Sequence, residues 1–166
     1  MSEIILPWQR ELPEGKVSGS IDNGTEDLEL NRKNHVLLVD DSLRAITSLN
    51  RIFTGLGCDT ILGFDGFTAL NSLVNKEVDL MVLDMTMPKM DGDETLARAD
   101  ELLGELYQGQ NTAEPKSIPV VVYTGMEKGS YRLHETKYFE VVDVWQKPIS
   151  FSALSVRAEK IVDSIK

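Results

Sequence analysis

Asp40, Asp41, Asp84, Thr124 and Lys147 are the residues of this chain best equipped for chemistry. Each stands at or just beyond the end of a short apolar run, at 36–39, 80–83, 120–123 and 141–145. Three carboxylates, a hydroxyl and an ammonium form a set that can hold a divalent cation and accept a phosphoryl group. Adjacent Asp40 and Asp41 repel each other when ionised, and a bound cation removes that repulsion. Mg2+ is suited to the task, since it binds through one or two carboxylates, with waters and phosphate oxygens completing the shell. A carboxylate can also act as nucleophile and form an aspartyl phosphate. Lys147 would then stabilise charge on the transferring group as a point charge on a long stem. Thr124 would offer its hydroxyl to a phosphoryl oxygen.

Residues so far apart in sequence need a scaffold that brings them together. The run at 36–39 is apolar without alternation, as in a strand buried on both faces. Ser42 can cap a helix carrying Ala45, Ile46, Leu49, Ile52, Phe53 and Leu56 at helical spacing, which Gly55 and Gly57 end. A second strand over 60–64 is closed by Asp65-Gly66, with a short helix over 67–75. The third strand, 80–83, delivers Asp84. The turn-rich loop 87–92 leads to a helix over 93–107 with Leu96, Ala99, Leu102, Leu103 and Leu106 as its buried face. The polar stretch 108–117 reads as a long loop before a fourth strand. A weak, polar helix is predicted between 127 and 138. A fifth strand covers 141–145, and the last helix spans 151–165. Strands alternating with helices predict parallel βαβ units. In such a sheet, ligands bind beyond the carboxyl ends of the strands, where all five residues fall.

Residues 1–34 differ from the rest. They hold two prolines and seven acids against four bases, with scattered apolar residues. They are expected to form a polar extension, largely disordered, ahead of a domain at 35–166. Trp8, with Ile4, Ile5 and Leu6, is a potential docking element within it. The net charge of −10 argues against nucleic-acid binding. No apolar run approaches the ~20 residues of a membrane span, and the N-terminus lacks the features of a signal peptide. Cys58 is the sole cysteine, which excludes an intrachain disulfide and a cysteine metal cluster. A cytoplasmic location is expected.

The stretches 36–41, 83–92, 122–125 and Lys147-Pro148 together resemble the receiver domain of two-component response regulators. The segment from Asp84 through Met87-Pro88 and Met90-Asp91-Gly92 is the most specific of them. The resemblance covers 35–166. It implies a flavodoxin-like, doubly wound α/β fold: five parallel strands in the order 2-1-3-4-5, with helices on both faces. It places Asp84 at the phosphoacceptor position and Asp41 at the direct Mg2+ ligand. Asp40 becomes the acidic neighbour acting through water, and Thr86 supplies a backbone carbonyl to the metal. Thr124 and Lys147 fall on the switch hydroxyl and the family lysine, whose bond to Pro148 is often cis.

Three features depart from the usual pattern. Val144 stands three residues before Lys147, where the family carries an aromatic switch residue, and Trp145 follows one place later. The loop over 108–117 is longer than typical. Tyr138-Phe139-Glu140 replaces the small pair often found before the fifth strand.

The resemblance implies a phosphohistidine donor on a sensor histidine kinase or phosphotransfer protein. It also implies an output by contact with an undetermined downstream protein, through the fourth helix, fifth strand and last helix. Homodimerisation on phosphorylation is left open. No G-x-x-x-x-G-K loop is present to bind ATP, and no helix-turn-helix follows the last helix. The chain is therefore expected to be no enzyme beyond its own phosphorylation and dephosphorylation, and to carry no output domain. The alternative is an interaction module of receiver shape that works without phosphorylation. A dehalogenase-type hydrolase would need a second aspartate at Thr86, and a flavin site would need a phosphate-cradling loop where Asp40-Asp41 stands.

Overall fold

A computed structural model describes residues 32–108, 116–127 and 129–165. Residues 1–31 of the predicted 1–34 extension, Trp8 included, and the middle of the long loop, 109–115, lie outside the described residues. The chain runs β1 (His35–Val39), α1 (Leu43–Gly55), β2 (Asp59–Gly63), α2 (Gly66–Asn75), β3 (Leu80–Leu83), α3 (Gly92–Tyr107), β4 (Ile118–Thr124), β5 (Phe139–Gln146) and α4 (Phe151–Ser164). All strand pairs are parallel, in the order β2-β1-β3-β4-β5. The flavodoxin-like fold and strand order expected from the sequence are those observed.

Alternation along the central strands splits the core in two. Val36, Leu38, Leu80, Val82, Val121, Tyr123 and Trp145 pack under α1 and α4, against Phe53, Leu154 and Val162. Leu37, Val39, Met81, Leu83 and Val120 pack under α2 and α3, against Leu73, Leu96 and Leu103. This two-sided burial explains why β1 and β3 read as unbroken apolar runs. Each helix starts with a side-chain cap on its first free N–H groups. Ser42 accepts from Ala45 N, Asp65 from Thr68 N, Asp91 from Glu94 N and Ser150 from Ala153 N. Each helix follows a strand of the parallel sheet, so all four begin at the carboxyl ends of the strands.

Two departures from expectation bear on the carboxyl end of the sheet. The helix predicted between 127 and 138 is absent among the described residues, so four helices flank the sheet. The connection instead runs along α3. There Asp93 accepts from His134 N (2.9 Å) and Asp100 from Tyr138 N (2.7 Å). Gly129, at φ +90, interrupts any helical run. The expected output face therefore lacks its fourth helix. The second departure is a bulge in β5. Val120 pairs with Val141 but Val121 pairs with Asp143, leaving Val142 as an extra residue.

The last three residues assigned to the extension are pinned to the domain. Arg32 reaches Asp79 and Glu77, Lys33 reaches Asp59, and Asn34 O accepts from Asp59 N. Among the described residues, no helix is long and apolar enough to cross a membrane.

Candidate functional site

The backbone ladder continues past the strands and sets the site residues side by side. Asp40 N donates to Gly63 O (3.1 Å), Asp84 N to Val39 O (2.9 Å) and Lys147 N to Thr124 O (2.7 Å). As a result Asp40, Asp41 and Asp84 converge, each with a carboxylate oxygen within 4.8 Å of the others'. Asp40 and Asp84 are buried, and Asp41 is exposed. The Lys147 ammonium lies 2.6 Å from Asp40 Oδ2 and 3.2 Å from Asp84 Oδ2. Lys147-Pro148 is cis, as the sequence led us to expect.

The loop after β3 is built to hold Asp84 still. Met85, Met87 and Met90 are buried, while Thr86, Pro88 and Lys89 face outward. Lys89 adopts φ 71, a left-handed conformation that costs a lysine about 1 kcal/mol. Gly92 allows a close approach: a Cβ there would lie 2.6 Å from Asp84 O and 2.8 Å from Met85 Cα. Thr86 N donates to Asp84 Oδ1 at 3.2 Å.

One ammonium faces three carboxylates, so negative charge is in surplus. Burial pushes the Asp84 carboxyl above its ordinary pKa. The nearby Lys147 charge and the Thr86 N–H oppose that rise, and Asp40 adds to it. Burial also works against the Lys147 ammonium. Its hydrogen bond to Asp40 and the charges of Asp84 and Asp40 outweigh burial and hold its pKa above the ordinary value. Asp40 spends one oxygen on Lys147 and the other on Ser42 N (2.8 Å). Thr124 is buried at the end of β4, with its hydroxyl accepting from Met126 N (3.1 Å). A Cβ on Gly125 would meet nothing within 4 Å, so the approach beside Thr124 is open.

All the residues singled out from the sequence thus gather at one end of the sheet. An all-oxygen donor set with surplus negative charge fits Mg2+. Sequence reading missed Tyr123, whose ring centroid lies 4.7 Å from Lys147 Nζ. The missed signal was its place next to Thr124 in a buried strand, which turns it to the opposite face from the threonine. An open groove of about 1090 Å³ lies at the other end of the strands, lined by Arg32, Asp79 and Lys116 among others, away from the carboxylate cluster.

Residues 36–159 match the response regulator receiver domain family. Among curated relatives, Protein PilG of Pseudomonas aeruginosa is 27% identical over 92 residues, covering 55% of this chain and 61% of PilG. The transcriptional regulatory protein ZraR of Salmonella typhimurium is 29% identical over 125 residues, covering 75% of this chain and 25% of ZraR. The chain thus spans less than two thirds of these relatives. Among solved structures, the receiver domain of sensor histidine kinase PA1611 from Pseudomonas aeruginosa superposes with a TM-score of 0.58. It is 20% identical and covers 80% of this chain and 99% of that one. That structure has a magnesium ion coordinated in its active site cleft.

Proposed function

The chain belongs to the response regulator receiver domains of two-component and phosphorelay signalling, and from that membership we propose that it accepts a phosphoryl group on Asp84 from a phosphohistidine of a kinase or phosphotransfer protein. The observation that carries this reading is the placement of Asp84. It is a buried carboxylate at the end of β3, held beside two further carboxylates and within 3.2 Å of an ammonium.

In this reading an Asp84 oxygen attacks phosphorus, the donor's P–N bond breaks, and the bonding pair returns to the imidazole. Lys147 can turn an N–H toward a phosphoryl oxygen while keeping its contact with Asp40. The Thr124 hydroxyl can donate to another phosphoryl oxygen and draw the start of the β4–β5 connection with it. Asp41, Asp84 and the Thr86 carbonyl would hold Mg2+, with Asp40 acting through water. The ion, when bound, neutralises the carboxylates and stabilises the charge on the phosphoryl oxygens. Lys147 and Thr124 then report the modification, and the output is contact with another protein in the cytoplasm.

Intact-mass spectrometry after incubation with Mg2+ and acetyl phosphate tests this. We expect one phosphoryl adduct that needs Mg2+ and is absent from Asp84→Asn. An adduct persisting in that variant would remove Asp84 from its role. Absence of both adduct and Mg2+ binding in the parent would favour the phosphorylation-independent interaction module.

A further inference from the structure

Lys147 has an aromatic neighbour that leads away from Thr124. Its ammonium sits over the Tyr123 ring, and that ring meets Trp145 edge-on, with centroids 6.5 Å apart and planes at 70°. The two residues are register partners on β4 and β5. Both are buried in the core under α1 and α4, with Leu154, Ala158 and Val162 of α4. Trp145 Nε1 donates to Asp143 Oδ2 at 2.7 Å. Arg157, on α4, lies 3.7 Å from the same oxygen and donates to Val144 O at 3.3 Å. Contacts therefore run from the ammonium through the aromatic pair and Asp143 to Arg157 on α4.

The bulge explains why Trp145 takes part. Were Val142 not extra, Val144 would pair with Tyr123, and Trp145 would face α2 and α3. With it, Val144 lies on the Thr124 face and the aromatic lies on the α4 face. The missing helix of the β4–β5 connection removes an element from the face toward which Thr124 would pull. The face beneath α4 is continuous and packed.

We propose that Tyr123 and Trp145 seat the Lys147 ammonium in the resting domain and pass its displacement to α4. Tyr123 is a positioning residue acting through Lys147, and Trp145 is the link to the helix. The proposal rests on the reading of Asp84 as phosphoacceptor. When Lys147 turns to a phosphoryl oxygen while keeping Asp40, its charge shifts relative to the ring face it now covers. The edge-on pair repacks in response, and the Asp143–Arg157 contact carries the change to α4.

The chain has two tryptophans, Trp8 and Trp145. Trp8→Phe leaves Trp145 as the sole indole reporter. Its emission is followed after addition of Mg2+ and acetyl phosphate, with intact mass read on the same samples. Hydrogen exchange of α4 amides is measured on the fully labelled sample. We expect emission and α4 exchange to change in step with the adduct and to return as it hydrolyses. Tyr123→Phe in this background should keep the response, since the ring remains. Tyr123→Leu should form the adduct and lose at least half of the emission change. An adduct with unchanged emission or unchanged α4 exchange overturns the proposal while leaving Asp84 in place. No adduct together with no Mg2+ binding overturns both. If Tyr123→Leu fails to fold, the Trp8→Phe comparison still decides. A purely structural Tyr123 would lower stability and leave the emission response of the leucine variant intact.

Discussion

An aspartate stands at each end of β3, and the two meet opposite surroundings. Asp79, at the amino end, is partly exposed and well supplied with donors. It accepts from Arg32 at 2.8 and 3.0 Å and from His35 N at 2.7 Å. Asp84, at the carboxyl end, is buried, takes one backbone N–H, and shares a single ammonium with Asp40. The first arrangement holds β1 and β3 to the segment that enters them. The second withholds the charge that would satisfy it. The contrast teaches that a paired carboxylate is scaffolding, whereas a buried one with too few cations is prepared for an incoming charge.

That contrast can be broken first without touching a charge. Gly92→Ala would drive a Cβ into the backbone of Asp84 and Met85, and backbone cannot give way as a side-chain end can. We expect a loss of about 3 kcal/mol in urea unfolding, together with slower adduct formation, because the carboxyl end of β3 must shift. Asp79→Ala should cost about 1–3 kcal/mol by the same measurement, since His35 N–H loses its acceptor and Arg32 a partner. Adduct formation on Asp84 should remain, which would separate the two ends.

The smallest effect has the opposite sign. In metal-free protein with chelator present, Asp84→Asn should raise stability at pH 7 by about 1 kcal/mol, or roughly 2–4 °C in Tm. Its pH dependence sharpens the point. The raised pKa means that folded Asp84 keeps its proton to a higher pH than the unfolded chain, whose carboxyl titrates near 3.8. Stability of the parent therefore falls as pH rises from about 4 through the folded pKa, and then levels. Asp84→Asn should lose that component, and Mg2+ should largely remove it from the parent. Lys147 acts at the other end of the scale. Its contribution is present below its ordinary value of 10.5 and is lost as pH rises through the folded pKa. A parent curve with no fall between pH 4 and 7 relative to the asparagine variant would contradict the surplus-charge account.

Much of the fold and the candidate site was legible because buried parallel strands announce themselves as unbroken apolar runs. The runs ending before Asp40 and Asp84 also fix where those side chains emerge. Ser42 as a cap and the stripe through Ile46, Leu49 and Phe53 were equally readable, since both are local. What failed was decided by tertiary partners. The helix predicted over 127–138 gives way because carboxylates of α3 accept N–H groups of the connection, and Gly129 adopts positive φ. Tyr123 escaped notice because its contact with Lys147 joins two strand ends through the fold. The bulge escaped because Val141-Val142 reads as an ordinary pair of strand residues.

That bulge gives the edge strand a property best described as parity. Every residue of β5 after Val142 faces the side opposite to the one an even count would assign. Drawing Val142 into the ladder, with no residue lost, would exchange which side chains look toward α4 and would also move Lys147 one place along the strand. One extra residue thus decides which side chains of β5 lie on the Thr124 face and which lie on the α4 face. Relatives with identical site residues need not speak to their partners through the same face.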